Sequence, residues 1–229
     1  MNVSVVIPTR GDVDMVPIVE SFPSEWEVLT YDNGAGVVRT WKGAKWGVVA
    51  DGLPDLSVYA RYACIEYAQH DLVLTQDDDV VVSDPQAIVD MWLAIPNMPT
   101  MDTIPPIYPP ERDEAVVCNM PQEFRHDGYT DSALVGFGAA FHRDAPRRAF
   151  DRLVAYQMYA GKTADTSETD DWFNRTCDVV FTTLTPRVLV DVPKTDCIYA
   201  SDPNRMWRQG GHIGERDRMI ELARQVRDA

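Results

Sequence analysis

Three short runs of aliphatic and β-branched residues, each stopped by a polar loop, constrain this chain more than any other feature. Val3-Ser-Val-Val-Ile7 ends at Pro8-Thr9-Arg10-Gly11, Trp26-Glu-Val-Leu-Thr-Tyr31 at Asp32-Asn33-Gly34, and Asp71-Leu-Val-Leu-Thr-Gln76 at Asp77-Asp78-Asp79. Runs this short read as buried strands rather than helices. Between the second and third, residues 57–70 carry Val58, Ala60, Tyr62, Ala63, Ile65 and Tyr67 in a pattern compatible with a helix. Strand, helix, strand is the order that builds a parallel sheet with crossover helices, so the expected fold class is α/β with a mostly parallel sheet. Ligands of such sheets lie beyond the carboxyl ends of the strands, and the loops opening at Pro8, Asp32 and Asp77 are therefore expected to meet at one site.

The rest of the chain continues without an internal repeat. Strands are expected at Ala115–Met120, near Ala133–Phe141 and at Arg187–Val192, with helices over about Pro146–Tyr159, from near Thr169, and over Arg216–Arg227. Six prolines between Ile95 and Pro110 exclude continuous helix or central strand there and predict a long irregular loop. With 229 residues and no composition break, one domain over 1–229 is expected.

Composition narrows the function classes. At 45% hydrophobic and 25% charged residues the chain has enough apolar content to form a core. No apolar run approaches the length of a membrane span, and no cationic leader precedes one, which predicts a cytoplasmic protein without membrane anchor. Cys64, Cys118, Cys177 and Cys197 form no C-x-x-C pair and read as small buried residues in a reducing compartment. A net charge of −15 opposes nonspecific binding to nucleic acid or anionic lipid. Two arginine clusters, Arg143, Arg147, Arg148 and Arg152, then Arg205, Arg208, Arg216 and Arg218, are the local exceptions; the first reads as a solvated helix face.

Chemistry is concentrated in Asp77-Asp78-Asp79. In an extended segment the side chains alternate, placing Asp77 and Asp79 on one side and Asp78 on the other. Two carboxylates aimed together suit Mg2+ or Mn2+, which take hard oxygen ligands and commonly share them with substrate phosphates. An acidic surface turn is the plainer alternative.

The stretch from Tyr59-Ala-Arg61 to Asp77-Asp-Asp79 resembles the A-R-N helix, strand and D-x-D run of family 2 GT-A glycosyltransferases. The opening Met1–Gly11 segment, with its V-S-V-V-I-P-T run, resembles their first strand, and Tyr31-Asp32-Asn33-Gly34 the turn that ends their second. Gly136-Phe-Gly138-Ala139 resembles the family's glycine-bearing loop, Thr169-Asp170-Asp171 its x-E-D motif with Asp in place of Glu, and Gly211-His212 its C-terminal histidine. The matches follow the family's order along nearly the whole chain. The resemblance implies a GT-A, Rossmann-like fold, with a nucleotide-binding half over 1–80 and an acceptor-binding half over 81–229, and transfer of a sugar from a nucleoside-diphosphate donor, UDP-sugar favoured, with inversion. It implies that Asp32 accepts a hydrogen bond from the base, with Pro8, Thr9 and Arg10 supporting base and ribose. Asp77 would face ribose or metal beside Asp78, and Asp79 and His212 would ligate the Mn2+ or Mg2+. Arg61 would lie near the diphosphate, Gly138 would let the backbone approach the sugar, and Asp171, beside Asp170, would be the base. Fold and donor motifs leave the acceptor open among a saccharide, a protein hydroxyl, a small metabolite and a modified DNA base.

Two rivals stand beside this reading. Metal-dependent phosphoryl or nucleotidyl transfer also uses strand-end aspartates, but here the first strand ends in Pro8-Thr9-Arg10 and no Walker-type loop is present. The other is a non-catalytic protein that binds a nucleotide sugar.

Overall fold

The computed structural model describes residues 2–95, 111–125, 131–159, 166–198 and 211–229; for 159 and 166–172 it describes the backbone alone. The prolines of the 95–110 loop, Arg205 and Arg208 lie outside the described residues.

The three runs form β1 (Ser4–Thr9), β2 (Glu27–Asp32) and β5 (Leu72–Thr75), and β1 pairs in parallel with both of the others. A hairpin of β3 (Val37–Lys42) and β4 (Lys45–Ala50) extends the sheet beyond β2. On the other side follow β8 (Ala139–His142), β7 (Val116–Asn119) and β9 (Arg187–Val190), giving the order β4-β3-β2-β1-β5-β8-β7-β9. From the pairings, six of the eight strands run one way, and β3 and β8 run against them. The sheet thus draws on both halves of the chain.

Strands buried on both faces read as continuous apolar runs because alternate residues enter different cores. Val5, Ile7, Leu72 and Leu74 point to one side, where Ile18 and Val19 of α1 (Val16–Val19) and Ile88, Val89 and Trp92 of α3 (Pro85–Ala94) pack. Val6 and Val73 point to the other. There they meet Ala60 and Tyr62 of α2 (Ala60–Cys64), Leu153 of α4 (Ala145–Tyr159), Phe181 of α5 (Thr166–Leu184) and Ile220 of α6 (His212–Asp228). α3 begins where Asp84 accepts the Ala87 N–H and Pro85 takes the first turn, a position that needs no donor. A small second sheet pairs β6 (Val80–Val82) antiparallel with β10 (Thr195–Cys197). No helix among the described residues is long and apolar enough to cross a membrane.

Three expectations change. The helix over 57–70 is α2 flanked by tighter turns at Ser57–Tyr59 and Ile65–Tyr67. The strand over 133–141 is confined to β8, because Gly136-Phe-Gly138 turns. The helix expected from near Thr169 starts at Thr166, which puts Asp170 and Asp171 in the second turn of α5. The first arginine cluster is largely the solvated face expected, with Arg147, Arg148 and Arg152 exposed and Arg143 half-buried, but three of its members also reach backbone carbonyls. Arg143 donates to the carbonyls of Ile65 and Ala68, Arg148 to that of Asp113 and Arg152 to that of Leu184, stapling α4 and its approach to neighbouring segments.

Candidate active site at the carboxyl edge of the sheet

Because β1, β2 and β5 run in parallel, Thr9, Asp32 and Asp77 emerge on the same edge, as the sequence predicts. β1 persists through Pro8 and Thr9, and Thr9 Oγ1 accepts the Gly11 N–H at 3.0 Å. Arg10 is exposed and pairs with Asp12 at 2.7 Å. The Asn33 amide donates to the Thr9 carbonyl (2.8 Å), and its side chain bridges to Leu56 and Ser57, tying this loop to the approach of α2.

Asp32 ends β2 facing inward. One of its oxygens accepts the Ala35 N–H at 2.9 Å and the other an Arg39 Nη1 donor at 2.5 Å. Gly11, at φ 79°, lies so close that a Cβ there would stand 2.6 Å from Asp32 Oδ1. The side chain of Asp32 is 5% exposed and that of Arg39 19%.

The acidic run departs from the alternation expected of it. Asp78 and Asp79 form a turn instead of extending the strand, closed by Val80 N–H donating to the Asp77 carbonyl and by Gln76 Nε2 donating to Val80 O at 2.5 Å. Alternation belongs to extended backbone and does not apply across such a turn. Asp78 and Asp79 are both buried, while the Asp77 side chain is 45% exposed. The far end of the turn is gripped by β10, with Ile198 N–H donating to the Asp79 carbonyl at 2.7 Å and Cys197 Sγ standing 3.5 Å from Asp79 Oδ2. Cys64, Cys118 and Cys177 are buried as expected, and burial pushes the Cys118 thiol up to about 12; Cys197 is only half-buried.

Asp77 is held from beneath. Arg61 Nη2 donates to Asp77 Oδ1 at 2.5 Å from a side chain only 2% exposed. The Asp77 N–H donates to the Gly136 carbonyl, and a Cβ on Gly136 would collide with the Asp77 carboxylate. Gly136 is therefore required by contact, and Gly138 by its φ of 108° and by Ile88 Cδ1, 2.8 Å from where a Cβ would be. Asn119 locks this loop in place, donating to the Phe137 carbonyl and Thr195 Oγ1 while accepting the Val192 N–H.

Two participants escape the sequence reading. Asp178 of α5 lies 3.4 Å from the same Arg61 Nη2, and Tyr62 Oη donates to its other oxygen at 2.7 Å. Burial raises the Asp178 pKa, and Arg61 and Tyr62 oppose that rise. For Arg61 burial acts to weaken protonation, but Asp178 and then Asp77 outweigh it and hold the guanidinium charged. Asp171 precedes Asp178 on α5 by two helical turns, about 10 Å along the axis. The side chains of Asp170 and Asp171 are outside what is described.

His212 opens α6 behind Gly211, whose φ is 89°. Burial, then Arg216, lowers its pKa and favours the neutral imidazole. Among the described residues no group of three or more His, Cys, Asp or Glu side chains is gathered to hold a metal ion, so Asp77, Asp79 and His212 do not form a cage by themselves. The donor set at the acidic turn fits a different arrangement, in which one or two carboxylates share a hard cation with phosphate and water.

No protein-family model and no curated protein matches the sequence. Among solved structures, the chain is similar to a galactosyltransferase, LgtC, in complex with donor and acceptor sugar analogues. That similarity has a TM-score of 0.38 and 13% identity over 98% of this chain and 96% of the other.

Proposed function

We propose that this protein is a metal-dependent glycosyltransferase that moves a sugar from a nucleoside diphosphate, UDP favoured, to a hydroxyl acceptor with inversion. The observation that carries the reading is the presentation of Asp77. Its carboxylate is half-exposed at the carboxyl edge of the parallel strands, one oxygen anchored on a buried arginine, beside the loops of Thr9 and Asp32. That is the place where an α/β sheet receives a nucleotide. The family 2 resemblance contributes the order of the motifs around it.

In this reading Pro8, Thr9, Arg10 and the Asp32 turn receive base and ribose. Asp77 and Asp79 hold the Mn2+ or Mg2+, with Asp78 shaping the turn and His212 as a further ligand. The bound cation supplies neutralisation of the diphosphate leaving group. Gly136 and Gly138 let the backbone approach the sugar. Asp171, with Asp170 beside it, takes the proton of the acceptor hydroxyl as that oxygen attacks the anomeric carbon, the role a general base plays in inverting chemistry.

The test is calorimetric titration with UDP, GDP, CDP and dTDP, each with and without Mn2+, on the wild-type chain and on Asp79→Ala. Metal-linked binding of one nucleotide, lost in the variant, is expected. Absence of metal-linked binding to all four would remove the donor-site assignment.

A further inference from the structure

Resting on the function proposed above, we infer that Asp178 is a positioning residue that supplies the surplus negative charge through which Asp77 attracts the cation. Arg61 is too deeply buried for water to balance its charge, so its counter-ions must come from the protein. Were Asp77 its only partner, the pair would be neutral and the exposed oxygen of Asp77 would be a weak ligand for a cation. Asp178 changes the count. One guanidinium is shared by two carboxylates, at 2.5 Å and 3.4 Å from the same Nη2, leaving a net charge of about −1 whose exposed end is Asp77.

Asp178 is built to stay where it is. Arg61 and Tyr62, neighbours on α2, reach its two oxygens from one side. The Tyr62 ring is in turn packed against Phe150 and Phe181, at centroid distances of 5.2 and 5.6 Å. This frame sets the direction of the guanidinium, and the guanidinium sets Asp77 Oδ1. Asp178 thus acts through Arg61 without touching the ligand itself.

The experiment is titration of the full chain with Mn2+ alone, followed by nucleoside diphosphate in saturating Mn2+, on wild type, Asp178→Asn, Tyr62→Phe and Asp131→Asn. Asparagine at 178 keeps the shape and one acceptor oxygen, which still takes the Tyr62 Oη donor, while the charge and the second acceptor are removed; Tyr62→Phe reports what loss of a hydrogen bond alone does. Asp131→Asn removes the same charge from a carboxylate clamped by Arg224 and Arg227 on α6, outside the site. Thermal unfolding confirms that each variant is folded. The expected result is a rise of about tenfold in the Mn2+ dissociation constant for Asp178→Asn. Changes within about twofold are expected for Asp131→Asn and for Tyr62→Phe, which keeps the charge. Unchanged Mn2+ affinity in Asp178→Asn, or an equal loss in Asp131→Asn or Tyr62→Phe, overturns the inference while the wild-type titration upholds the function. No Mn2+-linked binding in wild type overturns both.

Discussion

Asp32, the last residue of β2, and Asp77, just beyond β5, lie at the same edge, and both bind an arginine at 2.5 Å, yet the two pairs are built in opposite senses. At Asp32 the acid is the buried partner, 5% exposed, and the Arg39 guanidinium is the more accessible one at 19%. At Asp77 the arginine is sealed at 2% and the acid is open at 45%. In each pair the buried partner is walled off from solvent and the more open one is the group that solvent can reach. One end of the edge therefore offers donors from a guanidinium stacked 4.9 Å over Trp46, and the other offers a carboxylate.

The contrast can be broken most severely at Arg61. Arg61→Ala leaves Asp178, whose side chain is 20% exposed, without its cation and with Tyr62 as its remaining donor, which is expected to cost about 3 kcal/mol. Urea unfolding would measure it; a loss under about 1 kcal/mol would mean that the pair is not the structural anchor described. Asp77→Asn should separate stability from function. With the acid half-exposed, its unfolding midpoint is expected to move little, while turnover with a nucleotide sugar falls on the order of 100-fold. Steady-state rates beside a melting curve check both halves. At the opposite pair, Asp32→Ala orphans the Ala35 N–H and Arg39, for an expected loss of about 1–3 kcal/mol in stability. Equal tolerance of Asp32→Ala and Asp77→Asn in denaturant would erase the distinction between the two ends.

Asp131 gives the smallest effect and a pH dependence of known sign. The Arg227 hydrogen bond, against the opposing effect of burial and with help from Arg224, lowers its pKa in the folded chain. A carboxylate with a lowered folded pKa contributes stability above its unfolded pKa and loses it as pH falls through the folded one. Asp131→Asn should thus cost about 1 kcal/mol at pH 7, and the gap from wild type should close as the pH is taken below the ordinary carboxylate range. Unfolding midpoints in a pH series would show whether it does.

The parallel core was legible because burial on two faces leaves an aliphatic signature that short-range reading captures. The convergence of Thr9, Asp32 and Asp77 follows from strand direction, which the strand–helix–strand order implies. The β3–β4 hairpin was passed over although Gly43, at φ 58°, opens a two-residue turn between strands with Trp41 and Trp46 opposite each other. α3 was also passed over, despite Asp84-Pro85 at its start. The geometry of the acidic run was misread because a turn, set by contacts to Gly136 and β10, replaced the extended backbone that alternation requires. Asp178 had no local signal. Its link to Tyr62 spans 116 positions, and a lone acid inside a helical run reads as solvent-facing until the sheet brings α2 against α5.

The hairpin has one irregularity of wider consequence. Arg39 lies opposite Val48, whereas Val38 lies opposite Ala50, so Val49 is an extra residue in the edge strand. Such an insertion bends the outer rim and disrupts the regular row of amides and carbonyls that another molecule would need as a template. Deleting Val49 would straighten that rim under an already exposed Trp46 and Val48, and would turn a self-limiting sheet into one able to recruit copies of itself into growing aggregates.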